Sequence, residues 1–134
     1  MKLTGLLGRW QTISENPLVI CDSGHNEDGI KEVVENLNQL KYKNLHFVLG
    51  MVNDKDICSI LKLLPKKANY YFAKASVPRA LPAEELKLQA EKEKLKGTSF
   101  ENVKAAITAA KKNYKKGDLI FIGGSTFVVA DALI

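Results

Sequence analysis

The chain has 134 residues, a length that suits one domain. Its 46% hydrophobic and 26% charged residues form an ordinary globular balance that excludes a disordered tract. At this size about two-thirds of the unfolded surface can be buried, so no metal or disulfide staple is required. The net charge of +5 excludes little by itself. The lysines between positions 84 and 116 alternate with Glu84, Glu85, Glu91, Glu93 and Glu101 and read as a solvated helical face rather than a nucleic-acid surface.

Residues 8–13 alternate in character and predict a short edge strand, and Asn16-Pro17 is a turn. Residues 18–21 are continuously apolar, as in a strand buried on both faces of a parallel sheet. Asp22 ends that run, Ser23 and Gly24 turn the chain, and His25 and Asn26 arrive where a helical pattern begins. Ile30, Val33, Val34, Leu37 and Leu40 mark an amphipathic helix, with Asn26 as its N-cap and Glu27 and Asp28 in the favourable first turn. Residues 45–49 predict a second buried strand, ended by Gly50. After a polar loop, Ile57, Ile60, Leu61 and Leu64 stripe a helix that Pro65 stops.

Residues 70–73 predict a strand, and Pro78-Arg79-Ala80-Leu81-Pro82 a rigid connector. A charged helix is expected to follow to about Leu95, closed by Gly97 as C-cap. Residues 98–100 predict a short strand. Asn102 then caps a helix striped by Val103, Ala106, Ile107, Ala110 and Tyr114 and ended by Gly117. Residues 119–122 form a last apolar run, and Gly123-Gly124-Ser125-Thr126 turns into a final helix beginning near Phe127. The chain stops at Ile134 inside a helical pattern, which reads as a domain boundary rather than a natural terminus.

Strands alternating with helices imply an α/β fold. The expected form is Rossmann-like, a mostly parallel sheet of about six strands with helices on both faces. Cys21 and Cys58 form no CxxC pair and read as reduced, packed thiols. No signal peptide is apparent, and no apolar run approaches the ~20 residues of a membrane span. A soluble, cytoplasmic protein with no membrane and no nucleic-acid partner is expected.

In a parallel sheet the strand-to-helix turns emerge on one edge, where ligands bind. Three turns here are polar or glycine-rich: residues 22–26, 50–56 and 123–126. Each alone has a plain structural meaning, as cap, solvated charge or tight turn; together they point to a ligand site. A carboxylate at a strand end accepts ribose hydroxyl protons, which suits Asp22. Arg9, on the edge strand, offers a bidentate fork for phosphate. Lys55 and the Ser125 hydroxyl suit a carboxylate. No GxGxxG follows the first buried strand, which counts against an ordinary NAD site, and there is no GxxxxGK[ST] phosphate loop.

The set Gly8-Arg9-Trp10-Gln11, VICDSGHN at 19–26, Gly50 with Asp54-Lys55-Asp56, Pro78-Arg79-Ala80, and Gly124-Ser125-Thr126-Phe127 resembles the C-terminal domain of the folylpolyglutamate synthase and dihydrofolate synthase family, in the Mur ligase superfamily. The match covers nearly the whole chain in order and spacing. Ser23 departs from the family's more frequent glycine but leaves Asp22, His25 and Asn26 in place.

The resemblance implies an ATP-dependent amide ligase acting through an acyl phosphate that the amino group of L-glutamate attacks. It implies that residues 1–134 are the glutamate-ligase domain. An N-terminal ATPase domain would carry the phosphate loop, the magnesium ligands and most of the site for folate or dihydropteroate. This domain alone would be inactive. Carried over by position, Arg9, Asp22, His25 and Asn26 would contact the nucleotide. Lys55 and Ser125 would bind the incoming glutamate. Arg79 matches a recurrent family position without an assigned role. The resemblance also implies a monomer. Folylpolyglutamate synthase and the bifunctional enzyme both fit, and His25 favours this branch over ligases that extend cell-wall precursors. The alternative of another class is a stand-alone Rossmann-like module binding a nucleotide or acidic metabolite without catalysis.

Overall fold

The computed structural model describes residues 10–53 and 57–133. Its strands are β1 (Gln11–Glu15), β2 (Leu18–Asp22), β3 (Leu45–Leu49), β4 (Asn69–Phe72), β5 (Gly97–Ser99) and β6 (Leu119–Gly123). The helices are α1 (Glu27–Asn38), α2 (Ile57–Leu63), α3 (Ala83–Lys92), α4 (Val103–Asn113) and α5 (Thr126–Ala132). The strands make one sheet in the order β1-β2-β6-β3-β4-β5. Only the β1–β2 pair is antiparallel among the described strands. The expected α/β architecture is therefore present.

Alternation along the strands divides the core in two. Ile20, Phe47, Leu49, Phe72 and Phe121 point to one face, where Ile30, Val33 and Leu37 of α1, Ile60 and Leu61 of α2, and Leu86 and Ala90 of α3 cover them. Val19, Cys21, Val48, Ile120 and Ile122 point to the other, beneath Val103, Ala106 and Ala110 of α4 and Val128 and Val129 of α5. Strands covered on both faces have no polar side to display, which is why β2, β3 and β6 read as nearly unbroken apolar runs.

The caps follow their expected chemistry. Asn26 Oδ1 accepts the Gly29 N–H at 2.8 Å, and Asn102 Oδ1 accepts the Ala105 N–H at 2.8 Å. Other boundaries need correction. α3 stops at Lys92, and Lys94, not Gly97, takes the left-handed conformation, with φ 64°. Gly97 instead opens β5, where a Cβ would lie 2.1 Å from the Tyr70 carbonyl oxygen. That glycine serves close strand approach rather than a helix cap. Gly117 sits in a turn after α4 has already ended at Asn113. The edge strand begins at Gln11 and runs to Glu15, because its partner residues are those of β2.

The two thiols also differ. Cys21 is fully buried, and burial, followed by the neighbouring Asp22 charge, pushes its pKa up to about 11. Cys58 is exposed, since α2 turns Ile57, Ile60 and Leu61 inward. The packed thiol expected there is not found.

One buried polar network lay hidden in the apolar run of β3. His46 Nε2 lies 2.8 Å from Asp118 Oδ2, and its Nδ1 lies 2.9 Å from the Tyr71 hydroxyl. Asp118 also accepts the backbone N–H groups of Asn44, at 3.2 Å, and Lys115, at 3.1 Å. This network ties β3, β4 and the entry to β6 together at the amino edge of the sheet.

Candidate functional site

The opposite, carboxyl edge is where the sequence motifs gather. β6 lies between β2 and β3, so Gly123 has Asp22 as its partner on one side and Leu49 on the other. After β2 and β3 the chain passes to the face carrying α1 and α2; after β6 it passes to the face carrying α5. Neighbouring strands whose helices diverge leave a crevice between them, the usual ligand position in such sheets. The glycines close the contact between loops. The Gly50 N–H donates to the Gly123 carbonyl at 3.3 Å. Gly124 has φ 106°, and a Cβ there would meet the Gly50 carbonyl oxygen at 2.4 Å. Both the conformation and the approach require glycine.

Asp22 ends β2 and is only 7% exposed. Its Oδ1 accepts the Gly24 N–H at 2.7 Å, and its Oδ2 accepts the Trp10 N–H at 2.9 Å. The carboxylate thus fixes the loop it introduces and ties down the start of the edge strand. Trp10 carries a positive φ of 43°, and its ring packs 5.7 Å from that of Phe121. His25 is exposed, with Nδ1 3.3 Å from the Ser23 carbonyl. Asn26 caps α1 as described. Ser125 is 2% exposed, and its Oγ accepts the Val128 N–H at 3.1 Å as the N-cap of α5. Residues 22–26 and 123–126 are therefore assembled on one edge. Arg9 and Lys55, with Asp54 and Asp56 beside it, lie outside the described residues.

The connector at 78–82 does more than its prolines announce. Val52 and Ala80 form an antiparallel bridge. The Asn53 N–H donates to the Arg79 carbonyl at 2.7 Å, and the Leu81 N–H to the Met51 carbonyl at 2.8 Å. The backbone of Arg79 thereby braces the loop after β3. Nothing in local sequence marks this pairing, because neither segment has strand periodicity.

Among the described residues, no three His, Cys, Asp or Glu side chains are grouped to hold a metal ion. Among them too, no helix is long and apolar enough to cross a membrane.

Residues 8–126 match the family described as Mur ligase, glutamate ligase domain. The chain belongs to that family. This glutamate ligase domain is 34% identical over 131 residues to the dihydrofolate synthase/folylpolyglutamate synthase of Escherichia coli (strain K12), a match covering 96% of this chain and 30% of the relative. It superposes on E. coli FolC in complex with DHPP and ADP with a TM-score of 0.85 at 32% identity, over 94% of this chain and 30% of that one. A bifunctional folylpolyglutamate synthase/dihydrofolate synthase with Mn, AMPPNP and L-glutamate bound gives a TM-score of 0.84 at 29% identity, over 98% of this chain and 32% of that one. The glutamate ligase domain thus spans about a third of the length of these relatives.

Proposed function

We propose that this chain is the C-terminal domain of an ATP-dependent folylpolyglutamate synthase that adds L-glutamate to folate through an acyl phosphate. In this reading residues 1–134 supply nucleotide contacts and the incoming glutamate site. An N-terminal ATPase domain of the parent enzyme carries the phosphate loop, the magnesium ligands and the folate or dihydropteroate site, and the enzyme acts as a monomer. The observation that supports the reading most strongly is the alignment of Asp22 with Gly123 at the point where α1 and α5 diverge. It brings the DSGHN and GGST turns to one crevice within a family whose relatives include nucleotide-bound and glutamate-bound ligases.

In this reading the chemistry follows from the residue types and the family motif. Asp22 faces the ribose with a carboxylate already oriented by the Gly24 and Trp10 amides. Arg9 and His25 contact the nucleotide, and Asn26 sets the first turn of α1 beside it. Ser125 accepts one hydrogen bond and keeps a hydroxyl proton to donate to a glutamate carboxylate, while Lys55 supplies the opposing charge. An acyl phosphate hydrolyses readily, so the amine must be held in line and water kept out. A domain that carries glutamate and closes over ATP does both.

The test is kinetic, in the parent ligase. Lys55→Ala raises the KM for glutamate more than tenfold, the scale of a lost charge-assisted contact, and leaves the KM for ATP nearly unchanged. Equal effects on the two would refute the assignment.

A further inference from the structure

The loop after β3 and the start of α5 leave the sheet toward opposite faces, yet they are joined twice. The first junction is the glycine contact between Gly50 and residues 123–124. The second runs through the connector between β4 and α3. Asp131, in the last turn of α5, accepts the Ser76 N–H through Oδ2 at 2.8 Å and the Ser76 hydroxyl through Oδ1 at 2.8 Å. Ser76 leads into a turn closed by the Ala80 N–H on the Val77 carbonyl at 3.1 Å. From that turn Arg79, Ala80 and Leu81 make the contacts to residues 51–53 given above, with Ala80 and Leu81 both buried. The result is a closed ring: α5, connector, β3 loop, glycine turn, and back to α5.

Helix energetics give no reason for an acid at position 131. The last turn of a helix is the negative end of its dipole, where a carboxylate is unfavourable. The acid is accounted for by Ser76. A carboxylate that uses both oxygens on the amide and hydroxyl of one residue fixes that residue's orientation as well as its distance.

We propose that Asp131 is a positioning residue: through Ser76 it holds the connector against residues 51–53 and so sets the loop after β3 relative to the start of α5. Ser125 caps α5, so the pair fixes the loop after β3 relative to that residue of the glutamate site; this consequence rests on the function proposed above.

Amide hydrogen exchange in the 134-residue chain tests the positioning directly. In Asp131→Ala the Asn53 and Leu81 amides exchange about tenfold faster, while those of Phe47 and Ile122 in the sheet keep their rates. Ser76→Ala, which retains the backbone N–H hydrogen bond to Asp131, gives a smaller increase at the same two amides, and Ser76→Thr restores the original rates. Unchanged exchange at Asn53 and Leu81 in Asp131→Ala would overturn the proposal. So would uniform acceleration across the sheet, which would make Asp131 a general stabiliser.

In the parent ligase, Asp131→Ala raises the KM for glutamate about fivefold with the KM for ATP unchanged. Faster exchange without any change in that KM would overturn the glutamate assignment and leave the positioning role standing. A raised KM without faster exchange would overturn the positioning role.

Discussion

Asp118 shows how a single residue's energetics follow from its partners. Burial alone would raise its pKa, but hydrogen bonds from His46, the Lys115 amide and Asn44 outweigh that and hold the carboxyl below the ordinary carboxylate range. A carboxyl depressed in the folded state contributes stability that is complete above its unfolded pKa, about 3.9. That stability is lost as pH falls through the folded value. Asp118→Asn is therefore destabilised at pH 7, and its deficit relative to the native chain shrinks as the pH is lowered toward 3. Urea midpoints for both chains at the two pH values check this; an equal deficit at both would contradict it. Neither partner of this pair was legible in the sequence. His46 sits inside an apolar run, and Asp118 is far from it in the chain. The imidazole that the sequence motif singles out, His25, is exposed on the loop after β2.

At the scale of elements, periodicity identified nearly everything that it physically controls. α1 and α4 begin at the asparagines whose side chains cap them, and β3 has the expected limits because Gly50 ends a run of residues buried on both faces. Glycine was harder to read, since one residue type serves two purposes, close approach and a left-handed turn. Gly97 permits strand contact, Gly117 turns the chain, and Gly124 does both at the site. The last case carries a prediction. Gly124→Ala forces a β-carbon into a left-handed position against the Gly50 carbonyl oxygen. It should cost on the order of 1–3 kcal/mol or more, with the denaturant slope unchanged. A denaturation midpoint equal to that of the native chain would show that the two loops are not in this contact.

For the whole molecule, alternation of strands and helices was enough to give a parallel sheet, but not the order of its strands. The placement of β6 between β2 and β3 depends on how the crossovers pack, with three of the described helices on one face and two on the other. That placement makes Asp22 and Gly123 neighbours at the point where the following helices diverge to opposite faces. The converging motifs were legible as residue types on strand-to-helix turns. The bracing of the β3 loop by the connector was not, because it is made by backbone groups in segments without a pattern. The most direct test of the molecule as a whole is an amide NMR titration of the chain with ATP-magnesium and, separately, with L-glutamate, using NAD as control. ATP is expected to shift residues 22–26, and glutamate residues 123–126 together with Lys55. Shifts gathered at the amino edge around Asn44 and Asp118, or a response to NAD with none to ATP, would contradict a ligase site on the carboxyl edge.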